Sequence, residues 1–262
     1  MKYQTIEQLS YLGMNAMKLE YQRQTELPAM QDLGFDDRFA MIVNKQFEAK
    51  QTAKVKRLIK EAKLREPTAC LEHIDYDPVR NLKKKDIAQL SDCNWIREGQ
   101  NLIALGATGV GKTYLVSAFG RQACMLGFKV RSYRMTRLLT DLTIGRGDGS
   151  YNKIIKDLLK PDLLILDDFG LRVLDVETSQ DLNEVIEEQH MQHKSIAMTA
   201  QLPIENWPDV IMNKGAGDAL MDRVVRNAYR FNLRGPSRRP TLQQVPEEKA
   251  AAAGEGGDTM NT

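Results

Sequence analysis

The residues from 106 to 113, Gly106-Ala107-Thr108-Gly109-Val110-Gly111-Lys112-Thr113, match G-x-x-x-x-G-K-[ST] at every fixed position. This pattern holds a phosphate chain. Its glycines let the backbone approach phosphate oxygens, and successive N–H groups form a nest for anions. The following helix adds the partial positive charge of its N-terminus. In such a loop the lysine, here Lys112, reaches the β and γ phosphates, and the hydroxyl of Thr113 ligates magnesium. An apolar run precedes the motif and a helical stretch follows it, which is the context the motif requires. A chance glycine-rich turn would have neither.

A second constellation lies 54 residues beyond Thr113. Four apolar residues, 163–166, lead into Asp167 and Asp168. Carboxylates at the C-terminal end of a buried strand stand where open α/β sheets bind ligands. Asp167 is expected to hold the magnesium ion, directly or through water, and Asp168 to orient and polarise the attacking water. An apolar run ending in two aspartates is by itself often only a strand entering a turn; its distance from the glycine loop gives it meaning. A further strand ends in Thr199, Ala200 and Gln201. Placed between the two motif strands, it would set a polar group beside the γ-phosphate. Arg223 opens no motif of its own and reads from base rates as a surface arginine.

The elements that must position these groups change character near residue 101. Apolar runs at 102–105, 130–133, 163–166, 196–198 and 229–233 alternate with helical stretches such as 112–125 and 179–192. Five strands with helical crossovers predict an α/β fold, a parallel sheet covered on both faces. The expected organisation is a basic helical domain over 1–66, a linker and entry segment over 67–100, the nucleotide domain over 101–240, and a disordered tail over 241–262. Fewer than thirty residues follow the last strand, so no C-terminal helical lid is expected. Before residue 66, Phe39, Ile42, Val43 and Phe47 form one helical stripe, and Val55, Leu58, Ile59 and Ala62 form the next. Glu66-Pro67 ends that helix.

Charge narrows the partners. The formal net charge is only +2, yet residues 45–65 carry eight bases against two acids, and residues 223–239 carry six arginines and no acid. Such local excess points to a polyanion met at defined places. Lys50, Lys54 and Arg57 share one face of the helix, and Lys60 joins the adjacent one. Without interleaved aromatics this face suits duplex backbone rather than stacked single-stranded bases. Arg134 and Arg137, also at helical spacing, are further candidates for phosphate contact. Three cysteines without C-x-x-C and three scattered histidines argue against a disulfide framework and against zinc. There is no apolar run of bilayer length and no signal-peptide pattern, so a cytoplasmic protein with no membrane partner is expected. Trp95-Ile96 reads either as an adenine-side contact or as core, and Trp207 as a packing anchor.

From Ile74 to Arg239 the chain resembles the IstB-type transposition helper ATPases of bacterial insertion sequences, relatives of the DnaC helicase loaders within the AAA+ class. The matching stretches include Asp77-Pro78-Val79-Arg80-Asn81-Leu82, GATGVGKTYLVSAFGRQA, YRMTRLL, LLILDDFGL, TAQLPIENW and DALMDRVVRNAYRFNLRGPSRR. The basic helical region before residue 66 is similar as well. The resemblance implies a P-loop AAA+ ATPase that uses ATP and Mg2+. It also implies a homo-oligomer built through ATP-bridged interfaces on duplex DNA, which recruits a DDE transposase to the target. Thr199 or Gln201 would correspond to sensor I, and Arg223 to an arginine finger acting in trans. Met198-Thr199-Ala200-Gln201 stands in place of the usual threonine-serine-glutamine. Glu187-Glu188-Gln189-His190 stands where relatives carry an arginine. A DnaC-like helicase loader is the alternative. A small-molecule kinase would need an acceptor site and a lid, and a nucleotide-gated scaffold would make no use of Asp168.

Overall fold

A computed structural model describes residues 2–30 and 32–239; the expected tail over 241–262 lies outside the described residues. Three helices come first, α1 (Lys2–Tyr11), α2 (Asn15–Glu26) and α3 (Phe35–Ala62). With 28 residues, α3 is a rod about 42 Å long. Asp36 and Asp37 in its first turn complement the helix dipole, and Lys63 ends it in a left-handed conformation, φ 49°. The α2–α3 contact is polar. The Gln46 side-chain carbonyl accepts from the Ala16 and Met17 amides at 3.2 and 3.3 Å, capping α2 from the neighbouring helix. The Gln24 amide donates to the Arg38 carbonyl at 3.0 Å and to buried Glu20 at 3.1 Å. Among the described residues no apolar side chain before Leu58 is buried. The stripe of Phe39, Val43 and Phe47 is exposed, and Phe35 stacks on Phe39 in the open.

The second stripe of α3 behaves differently. Leu58 and Ala62 are buried, and with Leu64 they join the core of the nucleotide domain. The end of the rod, still inside the expected helical domain over 1–66, is therefore packed into the nucleotide domain. Residues 67–100, expected as a linker, contain α4 (Lys84–Leu90), α5 (Asn94–Arg97) and short 3₁₀ turns. Ala69, Leu71, Ile74, Leu82, Ile87, Leu90, Cys93, Trp95 and Ile96 are buried in that same core. A seven-residue and a four-residue helix are too short to print a periodicity, so the sequence hid a packed layer behind an irregular pattern. Trp95 meets Phe119 edge to face at 6.4 Å and donates to the Leu90 carbonyl at 3.3 Å. It is core rather than an adenine contact.

The sheet comprises β1 (Asn101–Leu105), β2 (Val130–Arg134), β3 (Leu163–Phe169), β4 (Ser195–Ala200) and β5 (Ala228–Asn232). All pairs are parallel, in the order β2-β3-β4-β1-β5. The three central strands, β3, β4 and β1, are buried on both faces, as a place between two helical layers requires, while the edge strands β2 and β5 carry arginines. Leu163 and Ile165 face α6 (Lys112–Met125) together with residues 58–96. Leu164 and Leu166 face the other layer, made by α7 (Met135–Asp148), α8 (Tyr151–Leu159), α9 (Val176–Met191) and α10 (Lys214–Leu220). A π-helical turn, Met221–Val225, continues α10 toward β5. Among the described residues, which run to 239, no helix follows β5. Trp207 is fully buried against Phe169, ring centres 4.6 Å apart, as its reading as an anchor requires.

Candidate nucleotide site

The strand order sets β4 between β1 and β3, so both motif strands and the polar strand end point into one cleft of about 550 Å3. That volume is ordinary for a small-molecule site. Gly109 and Gly111 show why the loop needs glycine. At φ 85° and 99° they lie in the left-handed region, a Cβ on Gly109 would meet the Ser237 hydroxyl, and one on Gly111 would stand 2.8 Å from the Arg80 guanidinium. Lys112 begins α6, is mostly buried, and donates to the Ala107 carbonyl at 2.8 Å. Burial holds its ammonium below the ordinary lysine value, with the Asp168 and Asp167 charges opposing and Arg239 adding to the depression. A phosphate chain would supply the missing counter-charge.

Thr113 Oγ1 donates toward both Asp167 oxygens, at 3.0 and 3.2 Å. A hydroxyl and a carboxylate facing each other across the phosphate loop suit Mg2+, a hard cation that takes one or two protein oxygens and completes its shell with phosphates and water. Asp168 follows with φ 64°, beside a register shift between Leu166 and Phe169 that bends the strand end. A non-glycine residue held there stores strain of about 1–3 kcal/mol, and such strain gathers at functional sites.

The two sensor candidates part company. Thr199 is fully buried; its hydroxyl donates to Asp167 and accepts the Asp168 amide at 2.9 Å. Gln201, at the end of the same strand, lines the cleft. Arg223 lies elsewhere. Its carbonyl accepts from Asn101 at the start of β1, the end of the sheet opposite the phosphate loop, and its guanidinium pairs with Glu187 at 3.0 Å.

Arg134 reaches into the cleft. Expected among the DNA contacts, it ends β2 in register with Asp167, and its Nε donates to Asp168 at 3.1 Å inside the cleft. Arg137 stays on the surface, 83% exposed, with Asp141 at 4.0 Å. Lys50, Lys54, Arg57 and Lys60 are all exposed along α3.

Four arginines enter the site without having been singled out for it. Arg65 donates to Asp167 and, at 2.8 Å, to Asp168. Arg80 is buried beneath the loop and donates to the Val110 carbonyl at 3.1 Å. Arg238 pairs with Asp75 and donates its backbone amide to the Gly109 carbonyl at 2.9 Å, while Arg239 also lines the cleft. The last two belong to the arginine-rich stretch 223–239, and the chain after β5 folds back across the loop. The signal available in the sequence was the bare arginine count, which assigns no partner. Six cations, Arg65, Arg80, Lys112, Arg134, Arg238 and Arg239, thus surround a space that also holds Glu66, Asp75 and Asp168.

Known proteins resemble this chain along most of its length. The chain is 39% identical over 203 residues to a protein of Pseudomonas fluorescens described as ATP-binding in insertion sequence IS1162, covering 78% of this chain and 87% of that one. It is 32% identical over 235 residues to the insertion-sequence ATP-binding protein y4pL of Sinorhizobium fredii, covering 90% and 95%. Among solved structures, the DnaC helicase loader superposes with a TM-score of 0.51 at 18% identity, over 63% of this chain and 97% of that one, a likeness of fold. No helix among the described residues is long and apolar enough to cross a membrane. Residues 7–245 match the family model of the IstB-like ATP binding proteins, and with a parallel five-stranded sheet carrying an intact phosphate loop, the chain belongs to that family.

Proposed function

We propose that the chain hydrolyses Mg–ATP in this cleft, assembles on duplex DNA through ATP-bridged subunit contacts, and serves a DDE transposase at its target. The observation that carries hydrolysis is the pairing of Thr113 with Asp167 beside the strained Asp168. Thr113 and Asp167 would hold the metal, which neutralises phosphate charge and fixes the γ-phosphate for in-line attack. Asp168 is the group that orients water, Thr199 keeps both aspartates in place, and Gln201 is the polar group toward the γ-phosphate. Arg223, at the far end of the sheet from its own cleft, suits a role in a neighbour's site. The exposed basic face of α3, Lys50 to Lys60, is the duplex contact.

Transposition is favoured over helicase loading because the relatives matched along nearly their whole length are insertion-sequence proteins, whereas the loader likeness is one of fold alone. Phosphate release measured with and without duplex DNA tests the proposal, with Lys112→Ala as the blank. Release that duplex DNA does not stimulate would refute the DNA-linked reading. Capture of a replicative helicase instead of a transposase would favour the loader.

A further inference from the structure

Arg65 stands at the junction of the basic helix and the metal carboxylates, and neither role assigned above uses it. It lies three residues beyond the end of α3, and its Nη1 donates to one oxygen of Asp167 and one of Asp168. The Asp167 oxygen involved, Oδ2, also faces Thr113 at 3.2 Å. The guanidinium therefore occupies the point where the metal ligands converge. The contact spans 102 residues of sequence, so it is a tertiary lock rather than a local pair.

A magnesium ion binds its oxygens at about 2.0–2.1 Å. A guanidinium and a dication cannot share one carboxylate oxygen at such range without strong repulsion. Arg65 must yield Asp167 when the metal arrives, and a γ-phosphate in the same cleft is the nearest replacement anion. Its chain neighbours limit how it can yield. Ala62 and Leu64 are buried, and Arg131 holds the Glu61 carbonyl at 2.9 Å. Lys54, Arg57 and Lys60 lie five to eleven residues before Arg65, within about three helical turns.

We propose that Arg65 exchanges partners with nucleotide state, from the Asp167–Asp168 pair to the γ-phosphate, and thereby reports bound Mg–ATP to the basic face of α3. The proposal rests on the Mg–ATP reading of the cleft. Its first two tests need no DNA, so they stand apart from the DNA reading.

The experiment compares the full-length protein with Arg65→Gln and Arg65→Lys, using fluorescent ADP and ATP analogues. With ADP, which has no γ-phosphate, loss of a charged hydrogen bond to Asp167 lets Arg65→Gln reach half-saturation at about tenfold less Mg2+. The same variant loses most of its preference for ATP over ADP. Arg65→Lys, which keeps a cation, lies between the two. In a third measurement, ATP tightens duplex binding by the wild type but not by Arg65→Gln, whose ATP-free affinity is unchanged. An unaltered Mg2+ titration with ADP, or an unaltered ATP preference, overturns the exchange. If the wild type shows no ATP effect on DNA while the first two measurements behave as stated, the exchange stands and its report to the basic face of α3 is overturned.

Discussion

The backbone amide of Asp168 donates to the hydroxyl of Thr199 at 2.9 Å, one strand over, and the same hydroxyl donates to Asp167. One buried side chain thus holds both members of the acidic pair, including the one at φ 64°. Thr199→Val keeps the shape and removes the oxygen, leaving the Asp168 amide without its partner. ATP affinity should change by less than about threefold, because the phosphate loop is untouched, while turnover falls about ten- to a hundredfold as Asp168 relaxes, the equivalent of 1–3 kcal/mol of released strain. Steady-state kinetics beside nucleotide titration separates the two effects; equal loss in both would make Thr199 a binding group.

Arg223→Ala should lower turnover while sparing ATP affinity of the isolated subunit. Trans-acting arginines are worth roughly 10³–10⁵ in rate. Asp168→Asn should bind ATP and hydrolyse it slowly. Mixed in varying ratio, the two variants should regain activity where a wild-type Asp168 cleft meets a wild-type Arg223. Absence of recovery, with mixed assemblies seen independently, would leave Arg223 as no more than the partner of Glu187.

Replacing Lys54, Arg57 and Lys60 together with glutamine should weaken duplex binding similarly across sequences. The slope of log affinity against log salt should flatten by roughly 0.9 for each phosphate that the variant no longer neutralises. ATP binding by the free protein should survive. Unchanged affinity and slope would move the DNA site off α3 toward Arg137, since Arg134 is engaged in the cleft.

Thiol chemistry tests the packing of residues 67–100. Burial pushes the Cys93 and Cys124 thiols up to about 12, so near neutral pH almost none of either is thiolate. In the native protein Cys70, which is partly exposed, should alkylate well before the other two, and all three should react at similar rates in denaturant. Mass spectrometry after timed alkylation reads the order. Rapid native labelling of Cys93 would mean that this segment opens away from the sheet.

The groups most legible in the sequence were those whose chemistry is local. The residues from Gly106 to Thr113 and the run into Asp167-Asp168 each carry their meaning in a few consecutive positions, and five apolar runs marked five strands within a few residues at their ends. Thr199 and Gln201 reached the site because a strand between two motif strands must end there. Arg65, Arg80 and Arg238 were not legible, because what defines them is a partner far along the chain, 102 residues away for Arg65 and Asp167. The cleft contact of Arg134 was hidden for a related reason: helical spacing with Arg137 described α7, while the strand register with Asp167 decided where Arg134 points. Periodicity located the apolar face of α3 throughout, but it could not say that Leu58 would find a core and Phe47 would not.

That unequal covering makes α3 one helix but not one cooperative unit. Opening free energy rises with buried apolar area and falls where backbone hydrogen bonds stand in water. Amide protection should therefore climb along the rod, low from Phe35 through the polar contact with α2 and approaching the global value at Leu58 and Ala62. The lysines lie on the slope of that gradient, where a bound polyanion or a neighbouring subunit would slow exchange most.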